Sequence, residues 1–244
     1  MLSPRRLTKV RSLTIWLFTP ILLLCPAVKA SQNPGPETIT CKTPLIVSIE
    51  SGDTETARHI IETGKNINDN SCGVTALTES IAHGDSALAE QLVLVGADSN
   101  ESDIQHISPL MYAAFYCQYE TASLLIEHKA RINELDDDGE SALMYASANC
   151  DDGNIVALLI RVGAKVNLKS KVDDTALTLA AMNGDEFGVK ELVAAGANVE
   201  ATNFEGETAL SIAQGLRVGR KPAHDRICAF LIKIVDLLCA KGKE

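Results

Sequence analysis

The sequence feature that most constrains the fold is a pattern that recurs about every 33 residues. Six blocks open with Thr or Ser, and successive openings lie 32 to 34 residues apart. A repeat of this length is too small to bury its own apolar face, so neighbouring repeats stack and share a continuous core. The period therefore predicts a repeat solenoid. The blocks start at Thr43, Thr75, Ser108, Ser141, Thr175 and Thr208.

The fifth block shows why each repeat is expected to contain two helices. Thr175 can cap a first helix by accepting a backbone N–H bond. Apolar residues at i, i+3 and i+4, including Ala180 and Ala181, then form one face, and the alanines permit close helix packing. Gly184 permits the left-handed turn that ends this helix. A second apolar face follows and ends at Gly196, so the block predicts a helix-turn-helix unit.

The six blocks resemble the ankyrin repeat. The pattern of that family combines a Thr-Pro-Leu opening, Ala-Ala, Gly, a leucine-rich stretch, Gly-Ala, an apolar-Asn pair and Asp-Gly. The resemblance implies an all-α repeat solenoid over residues 43–240, with about six helix-turn-helix repeats, β-hairpin tips and a last repeat that serves as a C-terminal cap. The matching residues include Thr43-Pro44-Leu45, Gly52, Gly64, Gly84, Gly96-Ala97, Asn100, Ala146, Gly163-Ala164, Val166-Asn167, Ala180-Ala181, Gly184, Gly196-Ala197 and Asn198.

The first thirty residues have the three parts of a secretory signal peptide. Four basic residues occur by position 11, an apolar run covers residues 13–25, and Val28-Lys29-Ala30 forms a cleavage site. The alternative is a membrane anchor, but a run of thirteen residues broken by Pro20 is shorter than the roughly 20 needed to cross a bilayer. We therefore expect export to the periplasm or beyond, no membrane attachment after cleavage, and a leader at 31–42 that contains Cys41.

Net charge narrows the class of partner. The whole chain has a formal charge of −10, and removal of residues 1–30 takes away five basic and no acidic residues, leaving 17 against 32, or −15. Such a chain repels phosphate, so we expect neither nucleic acid nor anionic lipid as a partner.

The cysteines also fit an oxidising compartment, since six of the seven lie outside the predicted signal peptide. Cys117 and Cys150 share one repeat position in adjacent blocks, and Cys41 and Cys72 lie on adjacent tips. Stacked repeats are about 8–10 Å apart, whereas a disulfide needs Cα atoms within about 7 Å. Both pairs are disulfide candidates that require a local distortion, for which the extra residue of the fourth block is one source.

Motifs for catalysis are missing from the sequence. The histidines are scattered over different repeats, and no phosphate-binding glycine loop or nucleophile elbow occurs. The acidic run at 136–140 lacks the spacing and closing Glu of a calcium loop, so we interpret it as a solvated tip. The sequence therefore predicts a non-enzyme that is a monomer and needs no cofactor or metal.

The resemblance implies that the tips and the ends of the first helices line a concave protein-binding face. Four aromatic residues crowd into the third block, between Tyr112 and Tyr119. We expect some of them to be interface anchors, and the alternative is that they pack against the enlarged fourth-block turn near Cys150. The predicted partner-binding residues are Ile104, Gln105, Ile107, Phe115, Tyr116, Tyr119, Asp137, Asp138, Glu140, Asn149, Met182, Asn183, Phe204 and Glu205.

Three hypotheses for function follow. The chain is similar to secreted bacterial ankyrin proteins, some of which are encoded beside a hydrolase or toxin that they restrain. The first hypothesis is accordingly an immunity-type inhibitor that blocks a periplasmic hydrolase or toxin with a basic surface, such as a cell-wall enzyme. The alternatives are a periplasmic accessory factor, for example in oxidative-stress defence, and a secreted effector that binds host proteins.

Overall fold

The structure is a computed structural model that describes residues 42–70, 72–216 and 222–241, all within the unit Thr40–Glu244. The predicted signal peptide, and the leader as far as Cys41, lie outside the described residues. The described part contains twelve α-helices and no strand. They are α1 (Pro44–Glu50), α2 (Thr54–Glu62), α3 (Ala76–Ala82), α4 (Ser86–Leu94), α5 (Pro109–Phe115), α6 (Tyr119–Glu127), α7 (Ala142–Asn149), α8 (Asn154–Arg161), α9 (Ala176–Asn183), α10 (Glu186–Ala194), α11 (Ala209–Leu216) and α12 (Pro222–Lys241).

Each of the first five repeats starts its first helix as the sequence predicts. The Oγ1 atom of Thr75 accepts a hydrogen bond from the Thr78 N–H at 3.1 Å, and Thr175 does the same for Thr178 at 3.3 Å. These hydroxyls satisfy N–H groups that have no partner inside the helix. The equivalent caps in the other repeats are Thr43, Ser108 and Ser141.

The core is a double row of helices. The first helices of successive repeats pack as α3 on α5, α5 on α7, α7 on α9 and α9 on α11, and the second helices form a parallel series. Ala113, Ala114, Ala146 and Ala180 are fully buried between the first helices, where a larger side chain would force the backbones apart. None of the described helices is long and apolar enough to cross a bilayer.

The tips lie where the sequence places them and consist of turns. At four successive tips, from Asp103 onward, one side-chain oxygen accepts two backbone hydrogen bonds. Asp103 Oδ1 accepts from the Gln105 N–H at 2.8 Å and from the Ile107 N–H at 2.9 Å. The same arrangement recurs one repeat later each time, at Asp136, Ser170 and Asn203.

Adjacent tips are joined to each other by backbone hydrogen bonds. The Asp137 N–H donates to the Gln105 carbonyl at 3.0 Å, and the Phe204 N–H donates to the Val172 carbonyl at 2.9 Å. Equivalent bonds run from Ile104 to Gly73 and from Lys171 to Asp138. The tips are therefore held as one continuous edge.

A second series of links joins the loops that follow the second helices. The Asn133 side chain donates from Nδ2 to the Gly163 carbonyl at 3.1 Å and accepts at Oδ1 from the Lys165 N–H at 2.7 Å. Both halves of the amide are thus used to bridge two repeats. The same pair of bonds is made by Asn68, Asn100 and Asn167.

Candidate protein-binding surface

An aromatic cluster lies at the ends of α5 and α7, in the middle of the solenoid. The Phe115 ring meets the Tyr116 ring edge-on with centroids 4.9 Å apart, and it meets the Tyr145 ring at 6.1 Å. Phe115 and Tyr116 are half-buried, Tyr145 is buried, and Tyr119 at the start of α6 is exposed. T-shaped contacts of this kind position aromatic rings while leaving edges and faces open.

The structure bears on the packing of these aromatics, and their role as interface anchors stays a prediction. Phe115 packs against the fourth repeat, where its ring meets that of Tyr145 on α7. Phe115 and Tyr116 stay partly exposed, and Tyr145, which Phe115 contacts, is bonded to Asp136 of a tip. The cluster is therefore a supported patch that a partner can reach.

Two buried tyrosines connect this cluster to the tips. The Tyr112 hydroxyl donates to Asp103 Oδ2 at 2.8 Å, and the Tyr145 hydroxyl donates to Asp136 Oδ2 at 2.6 Å. Burial, reinforced by the neighbouring carboxylates, raises the pKa of both tyrosines, so they stay protonated as donors. Each aspartate thus uses one oxygen for its own turn and the other for a helix.

The sequence contains a signal for this link that motif reading missed. Asp103 and Asp136 each stand nine residues before a tyrosine, whereas Ser170 stands nine residues before an aliphatic residue, Leu179. A serine has a single side-chain oxygen, which the turn already occupies. An aspartate, with two side-chain oxygens, therefore occupies the tip in the two repeats whose following helix supplies a tyrosine hydroxyl.

The structure exposes most of the predicted tip residues, but it buries Ile107 and leaves Glu140 half-buried. Ile104 and Phe204 are 67% and 80% exposed. Ile107, predicted to face a partner, is only 7% exposed. It directly precedes the cap Ser108, and Val74, at the same position one repeat earlier, is also buried. Ile107 therefore packs beneath the tip. The other predicted tip residues that are exposed are Gln105, Asp137, Asp138 and Glu205.

The predicted residues at the helix ends are half-buried and partly engaged. Asn149 Nδ2 donates to the Tyr145 carbonyl at 2.8 Å, and Asn183 Nδ2 donates to the Cys150 carbonyl at 3.1 Å. Met182 presents part of its side chain next to Asn183. These side chains continue the surface toward the fifth repeat, with the two amide groups held in fixed orientations.

Two of the last three tips are acidic, with four carboxylates at 136–140 and two at 203–207, while the tip between them is formally neutral. Segments 136–140, 169–174 and 203–207 contain eight carboxylates and two lysines. Glu140 is the most perturbed member, because burial and the nearby carboxylates of Asp136, Asp138 and Asp174 raise its pKa to about 7. A cationic group placed beside it would relieve this repulsion, so the edge is electrostatically complementary to a basic protein surface.

Glu79 is a surface residue that sequence reasoning did not single out. It stands four residues after the cap Thr75, the position that Tyr112 and Tyr145 occupy in the next two repeats. Burial and the carboxylate of Glu50 raise its pKa, although His83 Nε2 lies 3.1 Å away. Glu50 forms an ion pair with Lys42, so a lysine compensates part of the negative charge of the first two repeats.

The two predicted disulfides have different outcomes. Cys117 and Cys150 lie at disulfide-bonding distance, with Cα atoms 5.6 Å apart. Cys41 lies outside the described residues, so its pairing with Cys72 stays a prediction. Among the residues that the structure describes, no group of His, Cys, Asp and Glu has the arrangement of a metal site.

Comparison with known proteins agrees with the repeat geometry. The family model for ankyrin repeats (3 copies) matches residues 79–170 and 143–243, more than half of the chain. Mouse (Mus musculus) Rabankyrin-5 is 28% identical over 175 residues, which are 69% of this chain and 15% of that protein. Human ankyrin repeat and SOCS box protein 6 is 29% identical over 181 residues, 69% of this chain and 43% of that protein.

A plant protein matches over a shorter stretch. The BTB/POZ domain and ankyrin repeat-containing protein NPR2 of Oryza sativa subsp. japonica is 33% identical over 114 residues, 43% of this chain and 18% of that protein. The chain therefore spans less than half the length of each of these relatives, and the likeness lies in the repeats. Ankyrin repeats make a protein-binding module. The chain belongs to the ankyrin-repeat family.

Proposed function

We propose that this chain is an exported, immunity-type inhibitor that binds a periplasmic hydrolase or toxin, such as a cell-wall enzyme, and occludes its active-site cleft. The observation that carries the proposal is the half-buried aromatic pair Phe115 and Tyr116, set beside an acidic edge in the middle of a stacked scaffold. Rigid aromatic anchors surrounded by charge are typical of tight protein interfaces. Export rests on the pattern of residues 1–30, which predicts a signal peptide.

The charge of the edge narrows the partner to a protein with a basic surface. Acidic tips that face a basic patch accelerate association, and salt weakens that effect because exposed charges are screened within about 10 Å at 0.1 M salt. Binding that slows as salt rises would fit this surface. Binding that is independent of salt would indicate that the aromatic patch acts alone.

Capture from a periplasmic extract tests the proposal. The protein is immobilised, and recovered proteins are identified by mass spectrometry and assayed. We expect a hydrolase or toxin whose activity falls when the protein is added. Recovery of a partner whose activity rises would favour an accessory factor, and recovery only from host extracts would favour an effector. Fractionation that finds the intact precursor solely in the cytoplasm would contradict export.

A paired variant locates the surface. Phe115→Ala with Tyr116→Ala removes two anchors and is expected to weaken partner binding at least tenfold, since interface anchors are worth about 2 kcal/mol or more. The matched control is Leu94→Ala with Val95→Ala, which removes two exposed apolar side chains at the end of α4, away from the cluster. Equal affinities for the two double variants, measured by titration calorimetry, would show that the aromatic pair is not the binding centre.

A further inference from the structure

The Cys117 and Cys150 pair lies within the proposed binding surface. Both residues follow a first helix, at the same position of two adjacent repeats, and their Cα atoms are 5.6 Å apart. Packed helices are normally about 8–10 Å apart. The pair therefore draws two neighbouring turns together at the place where α5 and α7 present their aromatic residues.

The backbone of both turns is adapted to this contact. Cys117 has a φ of +56°, at the position where Gly84 and Gly184 have left-handed backbone in their repeats. Cys150 is extended, and the left-handed residue of its turn is displaced to Gly153. The extra residue of the fourth repeat thus lets the Cys150 side chain approach Cys117. This is the local distortion that the sequence predicts for the pair.

The two sulfurs have different environments. Cys117 is exposed, whereas Cys150 is 1% exposed. The Cys150 Sγ lies 3.2 Å from the Ala114 carbonyl, which can accept a hydrogen bond from a thiol at that position. A reducing thiolate can therefore reach the Cys117 sulfur, while the released Cys150 sulfur already has a polar partner.

The pair is also connected to the residues around it. Cys117 follows Phe115 and Tyr116 directly in the chain, and Phe115 packs on Tyr145 of the neighbouring repeat. The Cys150 carbonyl accepts a hydrogen bond from Asn183, which links the turn to the fifth repeat. A change in the spacing of the two turns must move the aromatic cluster with them.

We propose that the Cys117–Cys150 disulfide is a redox-sensitive lock on the aromatic part of the binding surface. A thiolate of a dithiol reductant attacks Cys117 Sγ, the S–S bond breaks, and Cys150 leaves as a thiolate that takes a proton and donates to Ala114. The second thiol of the reductant then displaces Cys117, so the dithiol is oxidised and the protein gains two thiols. The lock is a property of the chain itself, and its effect on a partner rests on the proposed function.

Hydrogen exchange on the purified protein tests the lock without a partner. The Gln118 N–H donates to the Ala113 carbonyl at 2.9 Å in the turn after α5. The Asp85 and Asp185 N–H groups make the same bond, each at 3.0 Å, in repeats without the pair. On reduction by dithiothreitol we expect the Gln118 amide to exchange at least tenfold faster, and the Asp85 and Asp185 amides to change less than twofold.

A variant separates loss of the bond from other effects of the reductant. Cys117→Gly installs the residue that three other repeats carry at this position, as Gly52, Gly84 and Gly184. We therefore expect a folded protein whose Gln118 exchange matches the reduced wild type with or without dithiothreitol. Peptide mapping of the alkylated protein gives the thiol state of each cysteine. A pair found as free thiols before reduction, a bond that dithiothreitol leaves intact, or an unchanged Gln118 rate would each overturn the lock.

Partner capture is then compared between the two redox states. The lock predicts at least tenfold weaker capture by the reduced protein. Failure of capture in both states, together with the expected exchange contrast, would overturn the proposed function and leave the lock supported. This comparison uses a partner that the Phe115→Ala, Tyr116→Ala variant fails to bind. If the oxidised and reduced proteins capture that partner equally, the lock has no effect on binding.

Discussion

Glu140 is the residue at which the acidic edge opposes folding. Its carboxyl group has a pKa raised to about 7 by burial and by the neighbouring aspartates, well above its value in an unfolded chain. Between about pH 4.5 and pH 7 the unfolded chain has lost this proton while the folded chain retains it. The free energy of unfolding therefore falls as pH rises through this window, and ionised Glu140 keeps destabilising the fold above it.

Glu140→Gln removes the ionisation while keeping the size of the side chain. We expect equal stability of variant and wild type near pH 4.5, and a variant that is more stable by about 1–2 kcal/mol at pH 8, after allowance for solvent screening. Urea unfolding at the two pH values measures the difference. The control is Glu62→Gln, which changes an exposed carboxylate at the end of α2. An equal gap between Glu140→Gln and wild type at both pH values would contradict the assignment.

Residue patterns predict helix caps better than they predict contacts between a tip and its helix. The spacing of Thr and Ser locates the caps, because a cap depends on neighbours three residues away. Burial of Ile107 and the bond from Tyr145 to Asp136 depend on how a tip folds back on its helix. These contacts join a tip to a helix nine residues away, so they are not visible in the pattern of either element taken alone. The predicted footprint therefore includes the buried Ile107 and omits Asp103 and Asp136, which bond to the turns and to the helix tyrosines.

At the scale of the element, the left-handed turns show where glycine is required. His106 and Lys129 stand where the next repeat has Gly139 and Gly163, yet both have positive φ values, +59° and +69°. The surrounding repeat therefore imposes the turn on residues that disfavour it. The period predicts the turns correctly even where the residue type departs from the pattern.

Gly73 is a turn where conformation and space both require glycine. Its φ is +76°, and a Cβ placed there would lie 2.0 Å from Ile104 Cγ2 of the next tip. Gly206 has a similar φ of +75° with open space around it. Gly206→Ala is therefore expected to cost about 1–2 kcal/mol of unfolding free energy, from backbone conformation alone.

We expect Gly73→Ala to cost about 1–3 kcal/mol more than Gly206→Ala, because Ile104 must move as well. Urea unfolding of the two variants gives this difference. Adding Ile104→Ala should recover most of the excess for Gly73→Ala and none of the cost for Gly206→Ala. Identical costs for the two glycine variants would mean that the tips are not in contact at Ile104.

At the scale of the whole molecule, stability depends on interfaces between repeats. Asn133 contributes two hydrogen bonds to the interface between the third and fourth repeats, one to Gly163 and one from Lys165. In a linear array each repeat contacts only its neighbours, so a weakened interface divides the array at that place. The Cys117–Cys150 pair spans the same interface and would hold it together when oxidised.

Asn133→Ala should therefore reveal how the Asn133 hydrogen bonds and the Cys117–Cys150 disulfide together couple the third and fourth repeats. With the cysteines reduced, we expect a loss of about 1–3 kcal/mol for two hydrogen bonds and a broader urea transition with a lower m value. With the disulfide formed, the transition should stay sharp, because the covalent link keeps the two halves coupled. Asn198→Ala is the matched control, since among the described residues the Asn198 side chain accepts a hydrogen bond from the Glu200 N–H within its own loop. A reduced Asn133→Ala protein with an unchanged m value would show that the repeats unfold together without this bridge.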